Sequence, residues 1–291
     1  MNTTPASSEL IKEQRPRLLG IAYRMVGSLA DAEDIVAEAW LRWCAADQAE
    51  IVSPEAWLTT VTTRVAIDYL RSARHNREEY VGPWLPEPVV ADPGPDERAE
   101  MADSLTLGFL TMLDRLDPIE RAVFLMADVF AVPYEEIAPA VEKSPTACRQ
   151  VASRARRKLR HPRHRPQITD RRIVDELLVA LWMGDMDGVL ARLAPDAVCI
   201  TDGGATRPAA RQPVVGAERV ARFLVNLTER YHDRLTVTLA NVNREPGIIG
   251  RLDDKIDFVA AFEMRDDAVT TVRLIRNPDK LRLVEAGKGL L

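Results

Sequence analysis

Apolar residues in the first 160 positions recur at the three- and four-residue spacing that is typical of amphipathic helices. Leu18, Ala22, Met25 and Leu29 form one such stripe, and a second one follows the break at residues 27–28. Ser28 followed by Asp31 matches the pattern of a helix N-cap. This part of the chain is therefore predicted to be all helical.

A third helix is predicted to begin at Ser53, Pro54 and Glu55, because a cap, a first-turn proline and an acid typically start a helix. The following residues 82–95 contain five prolines, so we expect an irregular linker there. Its Trp84 and Leu85 need a surface to bury against.

Helical spacing resumes at residues 101–116, breaks at residues 117–120 and continues to residue 129. Two short helices then follow, joined by a tight turn near residues 142–144, and the second is rich in arginine. This arrangement predicts a helix-turn-helix. The apolar residues Ala147, Val151, Ala155 and Leu159 of the second helix would face the core. The opposite face would expose Thr146, Arg149, Gln150, Ser153 and Arg157.

Beyond residue 169 the pattern becomes mixed. One helix is predicted at residues 170–183, and short alternating runs then predict strands. The predicted strands are residues 197–201, 235–242, 256–264, 268–275 and 281–284. We therefore expect a separate α+β domain after a boundary at residues 161–169.

Composition narrows the class of protein. A length of 291 residues predicts two or three domains, and the polar start with no long apolar run favours a cytoplasmic protein without a membrane span. The three cysteines, Cys44, Cys148 and Cys199, are far apart, so we expect them to be reduced and buried. His161 and His164 lie among arginines and favour a basic tether over a metal site.

The net charge of −5 conceals an uneven distribution. Residues 142–172 carry eleven Lys and Arg against two acids, whereas residues 92–103 carry five acids against one Arg. A basic block that coincides with a predicted helix-turn-helix indicates nucleic-acid binding. In such a motif Arg149 and Gln150 would contact base edges, while later arginines would contact phosphates.

Two segments resemble the extracytoplasmic-function class of bacterial sigma factors. Residues 17–28 and 31–36, with the helix that carries Arg64, Asp68 and Arg71, are similar to sigma region 2. Residues 116–121 and 134–138, with the Arg-rich helix, are similar to region 4. The resemblance implies a subunit that directs RNA polymerase to promoters, region 2 melting DNA and contacting the −10 element and region 4 contacting the −35 element.

Three further strings resemble one subgroup of these sigma factors, in which a polyketide-cyclase-like (SnoaL-like) domain is fused at the C-terminus. The strings lie at residues 84–88, 202–204 and 277–281. The resemblance implies a cone-shaped α+β domain of the nuclear-transport-factor-2 type, which regulates in cis. The expected organisation is region 2 at residues 8–80, a linker at 81–100, region 4 at 101–165 and the cone domain at 170–291.

The resemblance also assigns roles to single residues, with core RNA polymerase and promoter DNA as partners and no cofactor, metal or catalytic residue. The expected DNA contacts are Thr146, Arg149, Gln150, Ser153, Arg154, Arg157, Arg64, Arg71 and Arg74. The expected polymerase contacts are Asp31, Glu33, Asp34 and Glu38. The expected contacts between linker and cone domain are Trp84, Leu85, Pro86, Asp202, Gly203, Gly204, Asn277, Pro278, Asp279, Lys280 and Leu281.

The chain departs from the family pattern in two places. Pro139 lies inside the first helix of the helix-turn-helix, and Glu142 stands where a glycine is common, so a distorted turn is expected. Ala205 and Thr206 stand where the subgroup tends to have Gly and Lys.

Two other classes of protein stay open. One is a one-component repressor whose cone domain binds a small molecule. The other is a cone-domain isomerase or cyclase with a DNA-binding tether, for which Asp202 and Tyr231 are the candidate pair.

Overall fold

The computed structural model describes residues 5–78, 80–90, 105–159 and 171–286, with only the backbone described at residues 5–8 and 73–78. The chain forms two compact units. Among the described residues, the helical unit contains residues 5–78 and 110–159, and the sheet unit contains residues 80–90, 105–109 and 171–286. The linker thus belongs to the sheet unit.

The helices from the N-terminus to residue 159 agree in position with the hydrophobic stripes. They are α1 Pro5–Val26, α2 Leu29–Ala45, α3 Pro54–Glu78, α4 Leu107–Leu113, α5 Pro118–Phe124, α6 Tyr134–Val141 and α7 Pro145–Leu159. Short 3₁₀ and π turns occupy Gln48–Glu50 and Leu125–Val129. The helix predicted at residues 101–116 is shorter than expected, and residues 101–104 lie outside the described part of the chain.

Capping side chains define where two of these helices begin. The Ser28 hydroxyl accepts the Asp31 amide at 3.3 Å, and Gly27 before it has a φ of 74°. Asp117 and Glu120 form a reciprocal capping box with Pro118 between them. Each cap satisfies backbone donors that have no partner inside the helix.

The helix-turn-helix of α6 and α7 forms despite its two unusual residues. Glu142 adopts the left-handed conformation at φ 54°, and the Lys143 amide donates to the Ala138 carbonyl at 3.1 Å. A glycine would adopt this conformation without strain. Pro139 lies within the last turn of α6, and the distortion expected from it does not prevent the helix from forming.

The sheet unit contains a six-stranded sheet in the order β2-β1-β6-β5-β4-β3, in which only β1 and β6 pair in parallel. Its helices are α8 Arg171–Met183, α9 Met186–Arg192, α10 Ala217–Tyr231 and α11 Pro278–Glu285. Its strands are β1 Leu193–Asp202, β2 Val214–Val215, β3 Leu235–Val242, β4 Glu245–Leu252, β5 Lys255–Arg265 and β6 Ala268–Ile275.

Both faces of the sheet are buried at strand β5. Phe258, Ala260 and Phe262 point to one face and pack with α8, α9 and α10. Val259 and Ala261 point to the other face, where they pack with linker residues and α11. The linker and α11 therefore form a layer that covers this face of the sheet.

Three parts of the predicted α+β pattern need correction. The run at residues 281–284 is helix rather than strand, because Asn277 caps α11 and Pro278 occupies its first turn. Strand β4 was not predicted, since Pro246 and Gly247 indicate a turn. Helix α10 was also missed, although Val220, Ala221, Leu224 and Val225 recur on its buried side.

Two-residue turns join strands β3 to β6. The turn residues are Asn243–Arg244, Asp253–Asp254 and Asp266–Asp267, and all six have positive φ. This is the type I′ geometry that matches the twist of a hairpin. Gly250 in β4 leaves the space that the Phe258 ring occupies on the neighbouring strand.

Within the described helices none is long and apolar enough to cross a membrane. Cys148 and Cys199 are buried and Cys44 is exposed, so the expectation that all three cysteines are buried is wrong for Cys44. His161 and His164 lie outside the described residues.

Candidate functional site

The second helix of the helix-turn-helix separates its apolar and polar residues along its length. Its buried residues are Cys148, Val151, Ala152, Ala155 and Leu159. The residues expected to contact DNA are all exposed, namely Thr146, Arg149, Gln150, Ser153, Arg154 and Arg157. Their spacing of three and four residues puts them on one side of α7.

Arg149 has intramolecular partners at this surface. Its guanidinium donates to Glu135 at 2.9 Å and lies over the Tyr134 ring at 5.4 Å. Arg156, seven residues and therefore about two helical turns further along α7, donates to Asp128 at 2.9 Å and to the Tyr134 hydroxyl at 3.2 Å. Both arginines therefore have partners within the helical unit, and because these contacts are partly open to solvent, another partner could replace them at small cost.

The basic side chains expected to contact the −10 element lie on α3. Arg64 is exposed, and its guanidinium donates to the Pro139 carbonyl of α6 at 2.7 Å. Arg71 is exposed and pairs with Asp68 at 3.5 Å. The side chain of Arg74 lies outside the described part of the chain.

A buried arginine joins other helices of the helical unit. Arg121 on α5 donates to the Met25 carbonyl at the end of α1 at 2.7 Å and to Asp114 at 2.6 Å. It also donates to the Leu113 carbonyl at 3.1 Å. Because Arg121 is buried, these bonds tie α1 firmly to the helices around residue 113.

The four acids expected to contact polymerase lie on α2. Asp34 is exposed, while Asp31, Glu33 and Glu38 are half-buried. Glu33 pairs with Arg15 at 3.0 Å, and Glu38 pairs with Arg42 at 2.9 Å. Both pairs are open to solvent, so a partner could replace them at small cost.

In the sheet unit the strings at residues 84–88, 202–204 and 277–281 meet around one carboxylate. Asp202, at the end of β1, is buried and accepts the Tyr80 hydroxyl at 2.5 Å, the Leu85 amide at 2.9 Å and the Lys280 ammonium at 2.6 Å. The Gly204 amide also donates to it at 3.1 Å. We call Asp202, Tyr80, Leu85 and Lys280 the linker hub.

Lys280 gives the linker hub its positive charge. Its ammonium also donates to the Leu85 carbonyl and lies 4.2 Å from the centre of the Trp84 ring and 5.1 Å from that of Tyr80. Such cation–π contacts strengthen when water is excluded. Burial and the adjacent Asp202 carboxylate raise the pKa of Tyr80, so its hydroxyl stays protonated and donates.

The loop after Asp202 fits closely against the start of α11. Gly204 has a φ of 60°, and a side chain there would collide with Asn277. Asn277 accepts the Asp279 amide as the helix cap and donates to the Tyr80 hydroxyl at 2.8 Å. Gly203 likewise has no room for a side chain because the Arg207 carbonyl is adjacent.

The other residues expected to join the linker and the cone domain contribute apolar packing or lie at the start of α11. Leu85 and Leu281 share one apolar cluster with Ile275, and Pro86 is buried beside them. Pro278 begins α11, and Asp279 pairs with Arg282 in solvent. Tyr80 was not expected at this contact, because its hydroxyl bonds to Asp202 and Asn277, which lie more than a hundred residues away in sequence.

The opposite face of the sheet encloses an apolar cavity that leaves about 90 Å³ for the centres of water-sized molecules. Leu181, Leu224 and Phe262 are among its lining residues, and its charged residues are the buried pair Asp257 and Arg276. Tyr231 lines this cavity but Asp202 does not, because the Asp202 carboxylate belongs to the linker hub. The candidate catalytic pair is therefore not assembled.

Comparison with known proteins agrees with this architecture. Residues 10–76 match the Sigma-70 region 2 family and residues 107–159 match the Sigma-70 region 4 family. ECF RNA polymerase sigma factor SigJ of Mycobacterium tuberculosis is 39% identical over 283 residues, which cover 91% of this chain and 90% of SigJ. The chain belongs to the extracytoplasmic-function sigma factor family.

Two further comparisons cover nearly the whole sigma factor. The probable ECF sigma factor SigI of M. tuberculosis is 30% identical over 96% of both chains. The crystal structure of M. tuberculosis SigJ matches with a TM-score of 0.76 at 36% identity, covering 94% of this chain and 98% of that one. This sigma factor therefore directs RNA polymerase to promoters and takes part in transcription initiation, and its family is not enzymatic.

Proposed function

We propose that the C-terminal domain of this sigma factor controls transcription in cis by holding the linker at the linker hub. The observation that carries the proposal is the buried Asp202 carboxylate, which accepts the Leu85 amide and pairs with Lys280. A linker fixed to the sheet restricts the separation of the two DNA-contacting regions at its ends.

The proposal gives the exposed residues of the helical unit their expected roles. The exposed side of α7 contacts the −35 element, and Arg64, Arg71 and Arg74 contact DNA near the −10 element. The acids of α2 contact core RNA polymerase in the cytoplasm. The bond from Arg64 to Pro139 supports a rearrangement within the helical unit, since that guanidinium must leave the carbonyl before it contacts DNA.

The test is promoter-dependent run-off transcription with purified core RNA polymerase and the full chain. Lys280→Met keeps the apolar stem of the side chain and removes its charge from the hub. Arg282→Met is the matched control, because Arg282 lies on the same helix in an exposed pair with Asp279. We expect Lys280→Met to change transcript yield severalfold and Arg282→Met to leave it unchanged.

Equal yields from both variants and the parent chain would contradict regulation through the linker hub. The same assay separates the other classes of protein. Specific DNA binding of equal affinity with and without core polymerase would favour a one-component repressor. Turnover of a ketone substrate by the full chain would favour a cone-domain isomerase or cyclase.

The proposal extends to a small-molecule ligand in the apolar cavity. Arg276, which lines the cavity, precedes Asn277, and the backbone amides of both donate to the Asp202 carbonyl at 2.6 and 3.0 Å. A molecule that contacts Arg276 therefore lies one residue from the linker hub. Indole, a small apolar ring with one N–H donor, should raise the melting temperature of the full chain. Ala260→Leu, which fills the cavity, should abolish that rise.

A further inference from the structure

The turn between β3 and β4 contacts the linker on both sides of residues 91–104. Before this segment, the Val89 amide donates to the Asn243 side-chain oxygen and the Asn243 amide donates to the Val89 carbonyl, both at 2.8 Å. After it, the Asn243 side-chain amide donates to the Leu105 carbonyl at 2.9 Å. The Asn243 side chain thus joins Val89 of the linker to Leu105, which lies just after the linker.

Glu245 holds the start of α4, beyond the linker. The Leu107 amide donates to its carboxylate at 3.1 Å, and both residues are buried. Leu107 is the first residue of α4, where a backbone amide has no partner inside the helix. We call Asn243 and Glu245 the hairpin anchor.

The hairpin anchor is separate from the linker hub. The hub holds Tyr80 and Leu85 through Asp202 at the end of β1, whereas the anchor lies on the turn and first residue of β4, at the other side of the sheet order. An antiparallel bridge between Val90 and Val242 adds to the anchor. Two separate sets of hydrogen bonds therefore hold this part of the chain to the sheet, although Leu85 and Leu107 share one apolar cluster.

This geometry limits how far the chain can extend. Residues 91–104 could span about 45 to 50 Å if fully extended. Because Val89 and Leu105 both bond to the Asn243 side chain, the two ends of this segment are held close together and most of that length does not separate them. Since DNA rises about 3.4 Å per base pair, releasing the anchor would add reach equivalent to many base pairs.

We propose that Asn243 and Glu245 are positioning residues that set which distances between the −10 and −35 elements this sigma factor accepts. The inference rests on the proposed function, in which the C-terminal domain holds the linker during promoter recognition. The hairpin anchor is a second place at which the chain is held, and its expected effect is on the range of promoter spacings that the sigma factor accepts.

The experiment uses the full chain, core RNA polymerase and promoters that differ only in spacer length. Asn243→Gly keeps the positive φ of 50° that the turn requires while it removes the side-chain bonds to Val89 and Leu105. Asp266→Gly, at the corresponding position of the β5–β6 turn with the same φ, is the matched control. Amide hydrogen exchange at Val89 and Leu107 reports whether the anchor has opened.

We expect Asn243→Gly to speed exchange at Val89 and to raise transcription from spacers two base pairs too short or too long at least fivefold, relative to the optimal spacer. Asp266→Gly should leave both unchanged. At Glu245, Glu245→Leu should broaden spacing tolerance, and Glu245→Gln should restore the narrow range because its amide oxygen still accepts the Leu107 amide. Faster exchange with an unchanged spacing profile would overturn the inference, and so would unchanged exchange in Asn243→Gly.

The two proposals fail in different ways. If Lys280→Met changes transcript yield while Asn243→Gly alters no spacing preference, the hub regulates and the hairpin anchor does not position. If Asn243→Gly broadens spacing while Lys280→Met has no effect, the anchor positions the chain without the hub. Melting temperatures within a few degrees of the parent exclude general unfolding as the cause of either result.

Discussion

Two ion pairs of similar length occupy opposite environments in this sigma factor. On the helix-turn-helix, Arg149 and Glu135 are 2.9 Å apart with side chains 54% and 63% exposed. In the linker hub, Lys280 and Asp202 are 2.6 Å apart with side chains 11% and 0% exposed. The first pair is surrounded by water, and the second is surrounded by protein.

The difference in burial means that a partner can break the first pair easily, whereas the second pair is costly to break. An exposed pair contributes about 0 to 1 kcal/mol and is screened by salt, so DNA can replace it. Removing one member of a buried pair leaves an uncompensated charge, at a cost of about 3 to 5 kcal/mol. Burial, rather than distance, therefore decides which of the two pairs is costly to break.

The largest expected effect comes from Asp202→Ala. This change leaves the Lys280 ammonium and the Leu85 amide without their carboxylate, so the docked linker should lose about 3 to 5 kcal/mol. Amide hydrogen exchange at Leu85 should become at least a hundredfold faster. The control is Asp196→Ala, which breaks the exposed pair with Arg265. If both variants exchanged at similar rates, burial would not distinguish these pairs.

The next effect concerns pH and the buried Glu245. Burial and the nearby Glu263 raise the pKa of its carboxyl to about 7, while Arg273 and the Leu107 amide oppose the rise. Those groups face it from β5, β6 and the start of α4.

The folded chain therefore binds this proton more tightly than the unfolded chain, in which the pKa is 4.5. The protonated Glu245 carboxyl therefore stabilises the folded chain fully below about pH 4.5, and this stabilisation is lost as the pH rises through about 7. Glu245→Gln should remove a pH-dependent contribution of about 2 to 3 kcal/mol. The measurement is the free energy of unfolding of the parent minus that of Glu245→Gln between pH 4.5 and 8. If this difference did not change with pH, the pKa of Glu245 would be the same in the folded and the unfolded chain.

Local sequence patterns predicted most helices of this protein because caps and apolar spacing are local signals. Ser28, Asp117 and Pro118 mark helix starts that the structure contains. The same logic applied to Asn277 and Pro278 would have predicted α11, but the apolar run after Lys280 favoured a strand. Strand β4 was not predicted because Pro246 and Gly247 indicate a turn, and Gly250 suits the strand only because the Phe258 ring of the next strand fills the space beside it.

The linker hub was only partly predictable for a related reason. Trp84 and Leu85 stood out because large apolar residues in a proline-rich segment need a partner surface. Asn243 and Glu245 carry no such signal, since their linker contacts join positions more than a hundred residues apart. An asparagine in a turn and a glutamate at the start of a strand are common in proteins, so their contacts with Val89 and Leu107 could be found only from the folded structure.

A smaller effect is expected at the DNA-contacting surface. Arg149→Ala should weaken binding of the polymerase holoenzyme to matched −35 DNA by about 1 to 3 kcal/mol and relax sequence preference. Arg157→Ala should weaken binding to all sequences alike and reduce the salt dependence. Binding to matched and scrambled −35 DNA is the measurement. Equal losses on both DNAs for Arg149→Ala would argue against a base contact.

The smallest effect should come from Glu135→Gln, which removes the charge that pairs with Arg149. Because the pair is exposed, the change should strengthen holoenzyme binding to −35 DNA by no more than about 1 kcal/mol. The Tyr134 ring still supports the guanidinium, so its orientation should be kept. The gain should shrink as salt rises from 50 to 300 mM, approximate values that bracket the range in which exposed charges become screened. A control is Glu136→Gln, an exposed neighbour on the same helix turn. If Glu135→Gln instead altered binding by several kcal/mol, the exposed Arg149–Glu135 pair would be as costly to break as the buried Lys280–Asp202 pair. Burial would then not explain the difference between the two regions.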